Sequence, residues 1–441
     1  MKLARVELEN FRCFESLTVP LDPRLNVFVG GNGSGKSTVL HAISVCLAPI
    51  LARLPLERKE KVPGLAASDI RFLGDDRSAP YVRTSAQATG LGEGAISWER
   101  MRLRDESPAT KKQAPGGSQG LKVLHAQVDR IVDAHNNQQP VSVPVCAYYG
   151  TNRAVDVPHY RLQAKTMPKS FRRLAGLEGA LGARADFRRA VGWFDLYEQQ
   201  ELREARDVGG KRPLPALKAV RQAIQCMIPG VENPRIDAQT GRFAVDARDP
   251  AGTPIKLFLD QLSDGYQVML GVVMDFALRM AIANPPLHPD DDLLSRPAIL
   301  IVDEVDLHLH PSWQQRVIPD LRRTFTQTQL ILSTHSPQVA TTVPSESLRI
   351  LKDGRVYAAP AGAEGAEAQR LLEDVFGVEP RPAVAMVQKL NRYMELVEQR
   401  RWDSPDAILL RRELDEWSQG QEPRLLEADL RIDNLKWEAA G

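Results

Sequence analysis

The chain has 441 residues, of which 43% are hydrophobic, so it can bury the core of one large domain or two medium ones. With 57 Lys and Arg against 56 Asp and Glu, its formal charge is +1, and no global basic field points to nucleic acid. The start MKLARVELEN lacks the apolar run of a signal peptide, and the four cysteines are scattered, so we expect a reducing, cytoplasmic location. The longest apolar stretch contains Asp275 and Arg279, and we therefore expect no membrane span.

Strand and helix patterns alternate along the chain. In order we predict strands at 2–8 and 25–29, a helix at 38–48, short strands within 79–103, a loop at 108–120, a helix at 121–135 and a buried strand at 141–149. Residues 169–228 have helical periodicity, with breaks at Gly209-Gly210 and at Pro213 and Pro215. The remaining predictions are short strands at 235–246 and 255–259, a long apolar helix, a strand at 298–302, a helix at 312–323, a strand at 329–333 and helices after Pro360.

This succession predicts an α/β fold in which a long insertion divides a parallel core sheet into two lobes. The short strands outside the core predict an antiparallel β subdomain. We expect an N-terminal lobe at 1–153, a mainly helical insertion or lid at 154–258, a C-terminal lobe at 259–360 and a helical C-terminal region at 361–441.

A glycine-rich segment between a predicted strand and a predicted helix fits the phosphate-loop pattern G-x-x-x-x-G-K-[ST]. Its residues are Gly30, Gly31, Asn32, Gly33, Ser34, Gly35, Lys36, Ser37 and Thr38. The glycines let backbone N–H groups form an anion nest, and the helix N-terminus adds its dipole. We expect Lys36 to contact the outer phosphates of ATP and the Ser37 hydroxyl to bind Mg²⁺. The alternative is a chance glycine-rich loop, which the flanking elements disfavour.

The apolar strand at 298–302 ends in Asp303 and Glu304. Such a run is typical of a buried central strand, and acids at its carboxyl end lie where parallel sheets bind ligands. We expect Asp303 to hold the Mg²⁺ shell and Glu304 to act as general base on the attacking water. The alternative is a solvated acidic turn.

His335 follows the strand at 329–333, where it can reach the γ-phosphate and stabilise charge that develops during transfer. A lone histidine is more often structural, but its place after the acid-tipped strand favours the catalytic interpretation. His308 and His310 have metal-like spacing without a third ligand nearby, so we interpret them as structural.

The sequence LSDGYQ at 262–267 opens the long apolar helix. Ser263 and Gly265 offer a hydroxyl, N–H groups and the helix dipole to an anion. Taken alone, the same pattern is most often an ordinary helix N-cap.

The order of the phosphate loop, LSDGYQ, ILIVDE and STHS resembles that of ABC-type ATPases, whose signature is LSGGQ. The resemblance implies an ABC-type ATPase head that dimerises, or forms a higher oligomer, around ATP. It also implies that Ser263, Gly265 and Gln267 serve the ATP of the opposite copy, and that Asp306 lies in the loop that contacts that copy.

The start VELENFRCF at 6–14 is similar to the opening of RecF, SMC and OLD-family ATPases rather than transporter subunits. By that likeness Asn10 and Arg12 lie near the nucleotide. A clear Q-loop glutamine is missing, and the segment YYGTNR at 148–153 stands where a substitute would be expected.

The insertion lacks the heptads of an SMC coiled coil, and too few residues follow His335 for an OLD-type nuclease domain. We therefore expect an ATP hydrolase without nuclease activity of its own. The C-terminal region reads LLEDVFGV at 371–378, followed by a proline-containing break and helices that end near 430–432. It resembles ATPases of prokaryotic antiphage systems, such as the Septu ATPase and retron-associated ATPases, which act with a separate HNH nuclease. One alternative is a RecF- or SMC-like DNA-binding ATPase in repair or recombination; a transporter ATPase subunit fits the start and the long tail less well.

Two surfaces remain open to interpretation. The segment 161–189 is basic and is either a track for a phosphate backbone or a solvated or partner-binding helix face. Its cationic residues are Arg161, Lys165, Lys169, Arg172, Arg173, Arg184, Arg188 and Arg189. The second surface is an apolar stripe at helical spacing formed by Val384, Val387, Leu390, Met394 and Val397. That stripe must pack on a partner nuclease, on the chain's own sheet or in a dimer.

Overall fold

The computed structural model describes residues 1–57, 62–153, 173–208, 213–249, 251–288 and 290–440. The chain divides into two compact units, Met1–Phe376 and Gly377–Gly441. In the described residues the strands are β1 (Lys2–Phe11), β2 (Phe14–Pro20), β3 (Leu25–Val29), β4 (Phe72–Gly74), β5 (Arg77–Ser78), β6 (Tyr81–Thr89), β7 (Ala95–Leu103), β8 (Val145–Tyr149), β9 (Glu232–Ile236), β10 (Phe243–Arg248), β11 (Pro254–Phe258), β12 (Ala298–Val302), β13 (Thr328–Ser333), β14 (Leu348–Lys352) and β15 (Arg355–Ala358).

The helices fill the connections between these strands and form the C-terminal unit. They are α1 (Lys36–Arg53), α2 (Pro108–Gln113), α3 (Leu121–Asn136), α4 (Phe187–Val208), α5 (Pro215–Met227), α6 (Asp264–Ala283), α7 (Pro311–Thr324), α8 (Pro337–Ala340), α9 (Ala368–Asp374), α10 (Ala385–Glu398), α11 (Pro405–Ser418) and α12 (Pro423–Ala440).

The central sheet of the first unit has six strands in the order β15-β14-β3-β13-β12-β8. The neighbouring pairs from β14 to β8 are parallel, whereas β15 runs antiparallel to β14. β3, β8, β12 and β13 are buried along their whole length, as expected of parallel strands that are covered on both faces. Because these strands point the same way, the loops that follow them meet at one edge of the sheet.

Antiparallel sheets flank this core. One has four strands in the order β2-β1-β6-β7, and another has three in the order β11-β10-β9. The predicted α/β fold with a parallel core sheet, antiparallel strands and a helical C-terminal region is confirmed. Two local predictions differ: the predicted loop at 108–120 contains α2, and the strand predicted from residue 141 begins at Val145. Pro108 at the first helical turn and the Ser107 cap, which accepts a hydrogen bond from the Thr110 N–H, explain the start of α2.

Helix α6 is apolar on all sides, which is typical of a helix at the centre of a large core. Among the described residues it is the one helix long and apolar enough to cross a membrane, and 89% of its apolar window is buried inside the fold. The two buried charged residues of α6 form a pair, in which Arg279 Nε donates to Asp275 Oδ2 at 2.8 Å. Tyr149 of β8 donates its hydroxyl to the same oxygen at 2.6 Å, so the pair is fully hydrogen-bonded as burial requires.

The C-terminal unit is a bundle of α10, α11 and α12 with a core of its own. The buried members of this core are Leu390, Tyr393, Leu396, Val397, Ala407, Leu414, Leu425, Ala428 and Ile432. Helix α11 begins where Ser404 accepts a hydrogen bond from the Ala407 N–H and Pro405 occupies the first turn.

The apolar stripe predicted on α10 packs inside this bundle. Val387, Leu390 and Val397 are buried, and Met394 packs against the same core. Only Val384 at the start of the stripe is half exposed, at 51%. The expectation that the stripe needs a partner, the chain's sheet or a dimer is therefore wrong, because α11 and α12 already cover it.

The boundary between the units follows α9 rather than Pro360. Leu371 and Val375 join the core of the first unit, which therefore extends to Phe376. The division of the first unit into two lobes and an insertion stays a prediction. In its described part the insertion contains α4 and α5 and ends in the sheet of β9, β10 and β11.

Candidate functional site

The loops after β3, β8, β12 and β13 converge at the carboxyl edge of the central sheet. Backbone hydrogen bonds extend the sheet into these loops, since the Asp303 N–H donates to Tyr149 O at 2.8 Å and the Thr334 N–H to Phe28 O at 3.0 Å. The edge therefore brings together the phosphate loop, the acidic turn after β12 and the histidine loop after β13. Segments far apart in sequence thus form one site.

The phosphate loop turns on glycines in the left-handed region. Gly33 has a φ of 76° and Gly35 a φ of 98°, which favour glycine over residues with a Cβ. A Cβ on Gly35 would also lie 2.4 Å from the Phe14 ring, so the turn between β1 and β2 closes directly on the loop. Helix α1 begins immediately afterwards at Lys36, and its N-terminus provides the partial positive charge that binds anions. The exposed positions are Gly31, Asn32, Gly33 and Ser37.

Two polar groups of the loop are arranged for an oxygen-rich anion. Lys36 Nζ donates to Gly30 O at 2.9 Å and to Gly31 O at 3.0 Å, which folds the ammonium group over the loop. Ser34 Oγ is buried and has no hydrogen-bond partner in the described part of the chain. A buried polar group without a partner costs about 1–3 kcal/mol, so the Ser34 hydroxyl would gain from a phosphate oxygen.

The charge of Lys36 is balanced by the acids after β12. Burial lowers the pKa of Lys36, and Asp303, Glu304 and Asp306 oppose that shift by Coulombic attraction. Three carboxylates thus lie within electrostatic reach of the lysine that closes the phosphate loop. The arrangement can bind a phosphate group between a cation and a metal that the acids hold.

The donor set fits Mg²⁺. Asp303 is 3% exposed, and its Oδ1 accepts a hydrogen bond from Ser333 Oγ at 2.5 Å, which fixes the carboxylate. Ser37 offers an exposed hydroxyl in the first turn of α1. In the described ranges no cluster of three or more His, Cys, Asp or Glu side chains forms a cage of protein ligands. A site with few protein ligands suits Mg²⁺, because this ion usually binds one or two carboxylates and completes its coordination shell with phosphates and water.

Thr334 and His335 follow β13 beside the acidic turn. Thr334 donates its hydroxyl to Asp306 Oδ1 at 2.6 Å, so the two loops are joined. His335 is half-buried at this position. His310 instead caps α7 by accepting a hydrogen bond from the Ser312 N–H, in line with a structural role.

The LSDGYQ segment forms the N-terminus of α6. Ser263 is the exposed N-cap, and its hydroxyl makes no capping hydrogen bond, so it is free for a ligand. Gly265 is buried, and a Cβ there would lie 2.3 Å from His308 O, so the glycine permits close packing on the loop after β12. Gln267 Nε2 donates to Leu262 O at 2.7 Å within the same segment. Among the described residues no hydrogen bond joins Ser263 to the phosphate loop of its own chain.

Asn10 lies near the end of β1 and Arg12 in the turn between β1 and β2, and each has a φ of 50°. The Arg12 guanidinium is held by the buried Asp69, with Nε 2.9 Å from Oδ1. The next residue, Cys13, lies beside the Thr38 side chain of the phosphate loop. The turn is therefore at the site, while the Arg12 side chain has a protein partner.

Sequence patterns did not identify Arg153 as a functional residue. Its side chain is fully buried and donates to the carbonyl oxygens of Gly150, Asp303 and Glu304. The sequence predicts that the segment 148–153 stands in place of the Q-loop. The arginine at the end of this segment is the sequence feature that could have indicated its role. A sequence motif could not predict its contact with Glu304, which lies 151 residues further along the chain.

The basic segment 161–189 is partly committed to internal contacts. Arg173 donates to Ala283 O at 2.9 Å and to Val141 O at 2.6 Å. Arg189 donates to Glu178 Oε2 at 3.1 Å and to Ala175 O. These two arginines are therefore engaged within the fold, whereas Arg184 is exposed. Arg161, Lys165, Lys169 and Arg172 lie outside the described residues.

Two family models and several known proteins match this chain. The family model described as "AAA domain" matches residues 5–229, which is half of the chain, and a second AAA domain model matches residues 171–341. The chain is 27% identical to the Retron Ec83 probable ATPase of Escherichia coli over 99% of this chain and 88% of that relative. It is 25% identical to the Retron Vc95 probable ATPase of Vibrio cholerae serotype O1 biovar El Tor, over 80% of this chain and 74% of that relative.

A shorter match is to the Septu protein PtuA of Bacillus mycoides, at 35% identity over 22% of this chain and 12% of that relative. The resemblance to retron-associated and Septu ATPases is thus confirmed. The phosphate loop, the acidic turn and the family match lead to one conclusion: the chain belongs to the AAA domain family of P-loop ATPases and is an ATP hydrolase.

Proposed function

We propose that two copies of the chain sandwich Mg·ATP, hydrolyse it and thereby control a separate nuclease in prokaryotic antiphage defence. The observation that carries the hydrolytic part is the convergence of Lys36 with Asp303, Glu304 and Asp306 at the carboxyl edge of one parallel sheet. A cation for the outer phosphates and acids for a metal and a water are the minimum set for phosphoryl transfer to water.

In this proposal each residue has one role at the γ-phosphate. The backbone N–H groups of the phosphate loop and Lys36 bind the phosphate oxygens. Ser37 and Asp303 hold Mg²⁺, which when bound neutralises negative charge on those oxygens. Glu304 orients the attacking water and accepts its proton, and His335 stabilises the charge that develops on the γ-phosphate.

The second copy supplies the N-terminus of α6. Ser263 has an exposed hydroxyl that does not cap its own helix, and α6 is long enough for its N–H groups and dipole to favour an anion. Gly265 contributes by allowing the helix start to approach the loop after β12, and Asp306 lies in that loop. Gln267 acts indirectly, by holding Leu262 O.

The partner nuclease binds the C-terminal unit in this account. That unit has a core of its own, yet it carries large exposed apolar side chains. They are Ile408, Leu409, Trp417, Leu426, Leu430 and Trp437. Several large exposed apolar side chains on one unit indicate an interaction surface more often than a single exposed apolar side chain does. The HNH class of the nuclease, contact of nucleic acid with 161–189 and a cytoplasmic location stay predictions.

The first prediction concerns hydrolysis. Lys36→Ala removes a charged donor to the phosphates, worth about 1.5–3 kcal/mol, and should weaken ATP binding about tenfold or more. Glu304→Gln should preserve ATP binding but lower turnover about 100-fold or more, because the base is lost. Filter binding and phosphate release measure the two effects. Glu346→Gln, an exposed glutamate at the opposite edge of the sheet, is the matched control. Wild-type turnover by Glu304→Gln would reject this base.

The second prediction concerns the ATP sandwich. With Mg·ATP, the Glu304→Gln protein should run as a dimer by light scattering, because bound ATP is not consumed. ADP should leave it monomeric, since the γ-phosphate that bridges the copies is missing. Adding Ser263→Arg should abolish the dimer without changing the fold, because an arginine at an exposed N-cap blocks the interface. Monomers of Glu304→Gln at saturating ATP would contradict the sandwich.

The third prediction concerns the partner. Leu426→Asp combined with Leu430→Asp should abolish pull-down of the nuclease encoded beside this chain, because both side chains are exposed on α12. ATP hydrolysis should be unchanged. Glu427→Ala, at an exposed polar position on the same helix, should retain the nuclease. Full nuclease binding by the double variant, or DNA cleavage by the isolated chain with Mg²⁺, would count against this part of the proposal.

A further inference from the structure

Arg153 lies at the end of the loop that follows β8, directly against the acidic turn. Its guanidinium donates through Nη1 to Gly150 O at 3.1 Å and to Asp303 O, and through Nη2 to Glu304 O at 2.6 Å. The residue is only 2% exposed. One side chain thus joins two parts of the chain that lie on neighbouring strands of the sheet.

Burying an arginine is costly unless its donors and its charge are satisfied. Here the partners are backbone carbonyl oxygens, and they do not neutralise a charge. Burial lowers the pKa of Arg153, and Asp303, Asp306 and Glu304 oppose that shift by attraction. The same three carboxylates attract Lys36, and the hydrogen bonds of Arg153 to Asp303 O and Glu304 O place the arginine at the site.

The turn that Arg153 grips has an unusual backbone. Glu304 has a φ of 48°, in the left-handed region that a residue with a long side chain rarely adopts. Such conformations cost about 1–3 kcal/mol and persist only where the surroundings fix them. Ser333 Oγ accepts a hydrogen bond from the Glu304 N–H at 2.8 Å. Glu304 O accepts hydrogen bonds from the Leu307 N–H and from Arg153 Nη2.

The peptide groups on both sides of the Glu304 Cα are therefore held. Ser333 fixes the preceding peptide, and Arg153 fixes the carbonyl groups of Asp303 and Glu304. Because the direction of a side chain follows from its backbone angles, these contacts set where the Glu304 carboxylate points. An error of about 1 Å in such a position can cost a hundredfold in rate.

We propose that Arg153 is a positioning residue for ATP hydrolysis, which holds the Asp303–Glu304 turn in the backbone conformation that aims Glu304 at its water. The inference rests on the proposed role of Glu304 as the base. Arg153 acts through carbonyl oxygens and does not contact the nucleotide in this account. Its loss should consequently reduce turnover and leave nucleotide affinity nearly unchanged.

The test compares Arg153→Ala, Arg153→Lys and Glu304→Gln in the full-length protein. Arg153→Ala should lower kcat about 10- to 100-fold, the usual effect of losing a group that orients a site residue. The Kd for a non-hydrolysable ATP analogue should stay within about threefold, since only an interaction of the transition state is lost. Arg153→Lys should remain impaired, because a lysine cannot reach the carbonyl oxygens of Asp303 and Glu304 as a planar fork.

Millimolar guanidinium provides a readout that a purely structural role would not move. It should restore part of the turnover of Arg153→Ala by occupying the vacated position. The matched control is Arg189→Ala, which removes a half-buried arginine that also donates to backbone carbonyl oxygens. That variant should lower thermal stability without changing kcat and should not respond to guanidinium.

The outcomes separate the two proposals. If Glu304→Gln hydrolyses ATP at the wild-type rate, the proposed base is wrong and the role of Arg153 with it. If Glu304→Gln is inactive while Arg153→Ala retains wild-type kcat, the positioning role alone is overturned. Equal losses of affinity and turnover in Arg153→Ala, without rescue by guanidinium, would make Arg153 a packing residue. Should Arg153→Ala fail to fold, Arg153→Lys gives the same comparison of kcat with Kd.

Discussion

Parallel pairing of β3, β13, β12 and β8 is the constraint on which the rest of the site depends. Parallel strands put all their carboxyl ends at one edge, and each strand here is followed by a loop with a polar or glycine-rich sequence. Four segments that are far apart in sequence therefore meet at this edge: the phosphate loop, the Asp303–Glu304 turn, the His335 loop and the segment before Arg153. Burial of these strands on both faces keeps their register, and hence the positions of the four loops, fixed.

The site concentrates features that would destabilise an ordinary protein surface. A buried lysine, a buried arginine and the acids of one turn lie within electrostatic reach of one another, and Glu304 has a left-handed backbone. The acids oppose, by Coulombic attraction, the effect of burial on both cations. A phosphate group would supply a missing hydrogen-bond partner, because Ser34 Oγ is buried without one among the described residues. Local strain of this kind is common where binding or catalysis must be ready in advance.

Local sequence patterns predict those parts of the candidate site that are continuous in sequence. The phosphate loop, the acid-tipped strand and the start of α6 each combine a short motif with its flanking elements, so the α/β fold followed from them. Contacts between distant segments could not be predicted this way. Arg153 donates to Glu304 O, 151 residues further along the chain, and Asp69 holds Arg12 from a distance of 57 residues in sequence.

The same limit explains the errors in the surfaces. The stripe on α10 was recognised as apolar, but spacing within one helix does not reveal that α11 and α12 cover it. A phosphate-binding track was one of two interpretations of the basic segment, but Arg173 donates to Ala283 O and Arg189 donates to Glu178 O.

The most direct measurement is a crystal structure of the Glu304→Gln protein with Mg·ATP. The account predicts that Lys36 Nζ leaves Gly30 O and Gly31 O for the β- and γ-phosphates, that Mg²⁺ binds Ser37 and Asp303, and that the substituted side chain in the held turn faces the γ-phosphate. A nucleotide bound away from this edge, or a metal shell without Asp303, would contradict the account.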